Sequence, residues 1–188
     1  MKKVVKFGGS SLASAKQFKK VSDIILADKA RRYVVPSAPG KRNKNDDKVT
    51  DLLYACYDAA ASGASYGKIL SRIKERYEQI IDGLELNLNL DFEFQTIEKN
   101  FLAKTGRDYA ASRGEYLNGL IMSQYLGFEF IDAADVIFFD EEGNFLSEKT
   151  NWELAERLSH TERAVIPGFY GSKPDGSIHT FSRGGSDI

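Results

Sequence analysis

The sequence predicts an α/β layered domain with a largely parallel sheet covered on both faces. Three observations carry this. Short β-branched runs alternate with amphipathic helical stretches along the chain. The first three elements read strand, helix, strand, a βαβ unit that implies parallel pairing and a right-handed crossover. Several strand ends carry glycine, serine or other small and polar residues, where such sheets bind their ligands.

The elements follow in order. "KKVVKF" is short and β-branched and stops at Gly8 and Gly9, so it reads as a strand entering a loop. Phe18, Val21 and Ile25, with Ile24 beside them, mark an amphipathic helix of about four turns. "RRYVVPSAPG" is a second strand ending in proline, serine and glycine. Residues 40–48, "GKRNKNDDK", are polar throughout and are expected to form a mobile loop that orders when ligand binds. A long helical stretch comes next, with one apolar stripe through Ile69, Ile73, Tyr77, Ile80 and Ile81. A second stripe runs through Phe94, Ile97 and Phe101, and a third through Leu117, Leu120 and Ile121. "GFEFIDAADVIFFD" returns to strand character, and an "EEGN" turn leads into another extended piece. Thr150 and Glu153 have capping-box spacing for a helix around Trp152 and Leu158. "RAVIPGFYG" reads as a buried strand ending in a glycine loop, "KPDGS" as a tight turn and "IHTFS" as a last extended piece. The closing "SRGGSDI" ends on Ser186 and Asp187, residue types that cap helix starts, with only Ile188 after them.

Composition narrows the function classes. With 42% hydrophobic and 28% charged residues over 188 positions, the chain is ordinary for a soluble globular domain with one sizeable core. A formal charge of −1 offers no pull toward nucleic acid or an anionic membrane. No apolar run has the length of a signal peptide or a membrane span, and the cytoplasm is the expected compartment. The single cysteine, Cys56, excludes an internal disulfide framework. With Val49, Leu52, Leu53 and Ala60 at helical spacing around it, it reads as a packed thiol. His160 and His179 have no metal-ligand spacing with it or with each other, so no protein-built metal cage is expected.

Four strand ends gather the candidate chemistry: residues 8–11 "GGSS", 37–40 "SAPG", 168–171 "GFYG" and 183–187 "RGGSD". Glycines after a strand let backbone N–H groups approach an anion, and Lys6, two residues earlier, can neutralise charge on a transferring phosphoryl group. The pattern is neither a Walker A loop nor G-x-G-x-x-G, and an ordinary turn with a solvated Lys6 is the competing reading. Ser112 and Glu115 have capping-box spacing. Yet Ala111, Ser112, Asn118 and Gly119, the helical neighbours of Glu115, are small or polar and leave room for a ligand ammonium beside the carboxylate. Both readings stand at this level. Arg183 can hold a carboxylate through two parallel hydrogen bonds, and Asp187 can orient a nucleophile; a glycine turn with an aspartate cap is the alternative.

In this order, "KFGGSS", "VVPSAPGK", "VTDLL", "SRGEYLNG", "IPGFYGS" and "SRGGSD" resemble the aspartate kinases of the amino acid kinase superfamily, over residues 4–187. The resemblance implies a three-layer αβα sandwich with a mostly parallel central sheet. It also implies transfer of the γ-phosphoryl of ATP, bound with Mg2+, to the β-carboxylate of L-aspartate, the first step toward lysine, threonine and methionine. By the same resemblance Lys6 stabilises the transferring phosphoryl, and Gly8, Gly9, Ser10 and Ser37 face the phosphates. Thr50, Glu115, Phe169, Arg183 and Ser186 contact the substrate, with Glu115 on the α-ammonium and Asp187 organising the catalytic centre. Ser10 stands where threonine is usual, and Pro36 and Pro39 stiffen the second loop.

Family members continue well past this length with an ATP-binding half and paired ACT regulatory domains. The resemblance therefore implies that residues 1–188 are the N-terminal, substrate-binding lobe, truncated before the nucleotide-binding half. That lobe is expected to be inactive alone and part of a homo-oligomer when complete. Two other functions compete with this one: a kinase acting on glutamate, N-acetylglutamate or a nucleoside monophosphate, and a non-catalytic module recruiting a partner through an exposed sheet edge.

Overall fold

A computed structural model describes residues 2–181. Strand β1 (Lys3–Phe7) leads through a single 3-10 turn (Gly9–Leu12) into helix α1 (Ala15–Leu26), and β2 (Arg31–Pro36) follows. Four helices come next: α2 (Val49–Ser62), α3 (Gly67–Gly83), α4 (Asp91–Leu102) and α5 (Arg107–Leu126). The chain continues with β3 (Glu129–Phe130), α6 (Ala133–Val136), α7 (Ser147–Ser159), β4 (Ala164–Val165), β5 (Tyr170–Ser172) and β6 (Ile178–Thr180). The main sheet has the order β1-β2-β4-β3 and every pair in it is parallel, as the opening βαβ unit predicts.

Alternation along the strands divides the core in two. Val34 and Val165 face the larger cluster, built with Phe18, Ile25, Leu53, Ile73, Ile97, Phe101 and Leu117 from α1 through α5. Their neighbours Tyr33, Ala164 and Ile166 face the other way, onto Val136 of α6 and Leu154 and Leu158 of α7. Helices on both faces of one parallel sheet make the three-layer sandwich. The second layer is thinner than expected. It covers β2, β4 and β3, whereas Val4 on the outer strand β1 is 67% exposed.

All three predicted stripes are buried at their centres, with Ile69 and Leu120 at their margins only half-buried. Helix α5 is different in kind: it shows no apolar side because it is enclosed all round, from Ala110 to Met122.

Four expectations are corrected. Thr150 caps nothing: α7 begins three residues earlier, and the buried Thr150 Oγ1 accepts a hydrogen bond from the Phe138 N–H at 3.0 Å. Its hydroxyl thus satisfies a backbone donor on the neighbouring segment instead of its own helix start. In "GFEFIDAADVIFFD" only Glu129 and Phe130 are strand, because Asp132 Oδ1 accepts from the Ala134 N–H at 3.0 Å and starts α6. β6 does not join the parallel sheet but pairs antiparallel with β5, as a hairpin closed by the "KPDGS" turn. Residues 40–48 are not loosely held. Arg76 on α3 donates to Asp46 Oδ2 at 2.8 Å, to the Asp47 carbonyl at 3.1 Å and to the Gly40 carbonyl at 2.8 Å, while Arg42 donates to both oxygens of Asp46.

Candidate functional site

The carboxyl ends of β1, β2 and β4 lie side by side, so the loops that follow them are neighbours. The first two touch backbone to backbone: the Gly40 N–H donates to the Gly9 carbonyl at 2.8 Å. A Cβ on Gly9 would lie 2.7 Å from the Ala38 carbonyl oxygen, and one on Gly40 would lie 2.7 Å from the Gly9 carbonyl carbon. Glycine is required at both for this approach. At Gly8 there is open space where a side chain would start, and the residue is exposed at the end of β1. An exposed glycine turn beside a second pinned loop fits a phosphate group approaching the backbone closely.

Helix α5 runs beneath the second loop. Glu115 Oε1 accepts from the Ala38 N–H at 3.1 Å, and Asn118 Nδ2 donates to the Ser37 carbonyl at 2.6 Å. Gly114 lets the loop sit this close, since a Cβ there would lie 2.7 Å from that of Ala38 and 3.8 Å from Thr50 Oγ1. Ser37, Thr50 and Glu115, distant in sequence, are thereby brought close together around Ala38 and Gly114. Tyr77 holds α5 at this point, donating its hydroxyl to the Gly114 carbonyl at 2.8 Å. The capping reading of Ser112 and Glu115 is excluded: α5 begins at Arg107, and Ser112 Oγ donates to the Tyr109 carbonyl at 2.7 Å.

Glu115 is 7% exposed, and burial pushes its pKa from 4.5 to about 7, against the opposing pull of the Ala38 N–H, of its own backbone N–H and, more weakly, of Arg113. Among the described residues neither Glu115 Oε2 nor Asn118 Oδ1 has a hydrogen-bond partner, although both are buried. Such acceptors each cost about 1–3 kcal/mol unless something donates to them. A buried carboxylate with a spare oxygen is suited to a cation that brings its own N–H groups.

Lys6 and Phe169, the other candidates, lie on the opposite sheet face. They line a cleft of about 570 Å³ with Val4, Val35 and Gly168, walled by Leu154 and Leu158 of α7. Phe169 has φ +79°, the left-handed region that a bulky side chain rarely occupies, and its carbonyl accepts from the Phe181 N–H at 2.8 Å. Strain of this kind, costing about 1–3 kcal/mol, persists only where surrounding structure holds it. Ser10 is exposed on the 3-10 turn that opens the first loop. Arg183, Ser186 and Asp187 lie outside the described residues. The strand leading to them is anchored to the first turn of α5: Asp108 accepts from the Thr180 N–H at 3.2 Å and hydroxyl at 3.0 Å, with His179 Nδ1 at 3.0 Å. Among the described residues no group of three or more His, Cys, Asp or Glu side chains is placed to hold a metal ion.

Sequence reasoning placed Asn118 beside Glu115 but gave it no contact of its own, and it passed over Gly114 and Arg76. The spacing of Asn118 three residues after Glu115 was the available signal, since it puts both on one helix face.

The profile of the amino acid kinase family matches residues 1–188. The chain belongs to that family. A Clostridium acetobutylicum aspartate kinase structure superposes with a TM-score of 0.94 at 49% identity, over 98% of this chain and 42% of that one. Escherichia coli aspartokinase III, solved with aspartate and ADP, gives a TM-score of 0.76 at 26% identity, over 98% of this chain and 44% of that one. Among curated relatives, aspartokinase 3 of Bacillus subtilis is 36% identical over 99% of this chain and 44% of its own length. Chloroplastic aspartokinase 1 of Arabidopsis thaliana is 31% identical over 98% and 36% respectively. This amino acid kinase chain thus spans less than half the length of the relatives it matches. Its three-layer fold and parallel sheet agree with theirs, and no described helix is long and apolar enough to cross a membrane.

Proposed function

We propose that this amino acid kinase chain is the amino-acid-substrate lobe of an aspartate kinase. In the complete protein it would transfer the γ-phosphoryl of ATP to the β-carboxylate of L-aspartate, on the route to lysine, threonine and methionine. The observation that carries the reading is Glu115: a buried carboxylate with one oxygen unpartnered among the described residues, held against the loop that carries Ser37 and close to Thr50. A free α-ammonium supplies the charge and the N–H donors this oxygen lacks, whereas an N-acetylated amino acid does not. Similarity to aspartate kinases at 49% and 36% identity supports the choice of aspartate.

ATP, bound with Mg2+, supplies the phosphoryl group. Gly8, Gly9 and Ser10 would hold its phosphates at the end of β1, with Ser37 contributing from the second loop. Lys6 would offset charge as the phosphoryl moves, because such transfers depend mainly on positioning and electrostatics. Arg183 and Ser186 are assigned to the substrate carboxylates and Asp187 to organising the catalytic centre, by resemblance of the "SRGGSD" motif. Phe169 would line the substrate pocket. Cytoplasmic residence and homo-oligomeric assembly of the complete protein belong to the same proposal.

The test is calorimetric titration with L-aspartate, L-glutamate and N-acetyl-L-glutamate, repeated on Glu115→Gln. Aspartate should bind most tightly, and the substitution should weaken it at least about tenfold, the scale of losing one charge-assisted hydrogen bond. Unchanged aspartate affinity in Glu115→Gln would remove the ammonium role.

A further inference from the structure

Two buried acceptors on α5, not one, lack a partner among the described residues: Glu115 Oε2 and Asn118 Oδ1. They are three residues apart on α5, so their side chains leave one face of the helix about one turn apart. Their other polar atoms grip adjacent residues of one loop, Glu115 Oε1 at the Ala38 N–H and Asn118 Nδ2 at the Ser37 carbonyl. Asn118 is 0% exposed. Its orientation is fixed chemically, because only the Nδ2 end can donate to a carbonyl, which leaves Oδ1 as an acceptor.

Two acceptors on one helix face repel a carboxylate or phosphate and welcome a group with several donors. An ammonium has three N–H donors and can serve both at once. Asn118 adds the second acceptor without a second negative charge, which this buried place would penalise.

We propose that Asn118 is a substrate-binding and specificity residue: its Oδ1 accepts a second hydrogen bond from the substrate's α-ammonium, beside Glu115. The inference rests on the reading of the pocket as an α-amino-acid site. It also fixes the substrate's direction, with the ammonium against α5 and the carboxylates turned away from it. The Nδ2 bond to Ser37 makes the same residue a tie between helix and loop, so the test must separate the two roles.

L-Malate, which carries one hydroxyl where aspartate carries the ammonium, separates them. Affinities for L-aspartate and L-malate are measured on the wild type, Asn118→Ala and Asn118→Asp. Alanine removes both the acceptor and the tie; aspartate keeps an acceptor but cannot donate to Ser37. The wild type should prefer aspartate. Asn118→Ala should reduce that preference about tenfold while malate affinity moves less than about twofold, and Asn118→Asp should retain the preference. Equal losses for both ligands in Asn118→Ala, or the same change of preference in both variants, would overturn the proposal and leave the loop tie alone. A wild type without any preference for aspartate over malate would instead remove the amino-acid reading beneath it. Should a variant not fold, the Asn118 side-chain amide signal of the wild type decides by NMR: a shift with aspartate but not malate supports the proposal, and equal shifts overturn it.

Discussion

Glu115 links the pocket to pH. Burial raises its pKa from 4.5 to about 7, so between those values the folded protein keeps a proton that the unfolded chain has lost. The resulting stability is fully present below about pH 4.5 and is lost as pH rises through about 7. Its size is on the order of 3 kcal/mol across that window. Denaturant titrations of the ligand-free protein should therefore show wild-type stability falling relative to Glu115→Gln between those limits, and parallel curves would refute the buried titration. Ammonium binding favours the ionised carboxylate, so apparent aspartate affinity should rise over the same interval. From spacing alone Glu115 was undecided, because Ser112 stood at capping distance. The start of α5, five residues before Ser112, removes the capping reading.

At the scale of elements, the second loop depends on α3. Arg76 and Asp46 have side-chain exposures of 5% and 8% and form an ion pair at 2.8 Å, with Arg42 holding the Asp46 carboxyl well below the usual carboxylate range. Because Arg76 also binds the Gly40 carbonyl, and the Gly40 N–H binds Gly9, one guanidinium supports both loops. Arg76→Met should cost about 3 kcal/mol, within the range for breaking a buried pair, read as a lower urea midpoint. An unchanged midpoint would show that the loop is held without it. Composition made residues 40–48 look mobile because their partner lies thirty residues downstream, beyond any local pattern. Strands and stripes were legible because burial imposes period 2 or 3.6 on nearby residues. Thr150 misled for the opposite reason: its hydroxyl serves a neighbouring segment, and spacing cannot report that. Gly9, by contrast, was legible in kind, and the structure supplies the reason, a backbone oxygen 2.7 Å from where its side chain would begin.

The whole molecule is unevenly covered. Its larger core is closed by five helices, while the other face narrows to α6 and α7 and leaves Val4 exposed beside the apolar cleft. β1 is the outer strand of the described sheet, with one strand partner. An exposed edge next to apolar surface favours self-association. The 188-residue chain should sediment with increasing mass as concentration rises, and Val4→Lys should reduce the effect; concentration-independent monomer in the wild type would contradict this. The sequence anticipated the parallel sheet and the neighbouring ends of β1, β2 and β4; its fourth strand end, residues 183–187, follows β6 outside that sheet and lies outside the described residues. It did not anticipate the division of the candidate residues between two sheet faces, Glu115 and Asn118 on one and Lys6 and Phe169 on the other. That depends on which way each side chain leaves its strand or helix.

The most direct measurement of the central claim, that Glu115 holds an amino acid's ammonium, is the proton count of aspartate binding. L-Aspartate is titrated calorimetrically at pH 7 in buffers of different ionisation heat. With Glu115 titrating near 7, the ammonium should displace about half a proton per bound ligand, with saturable heat. Saturable binding without proton release would mean that the ammonium rests elsewhere, and the account of the site would be wrong.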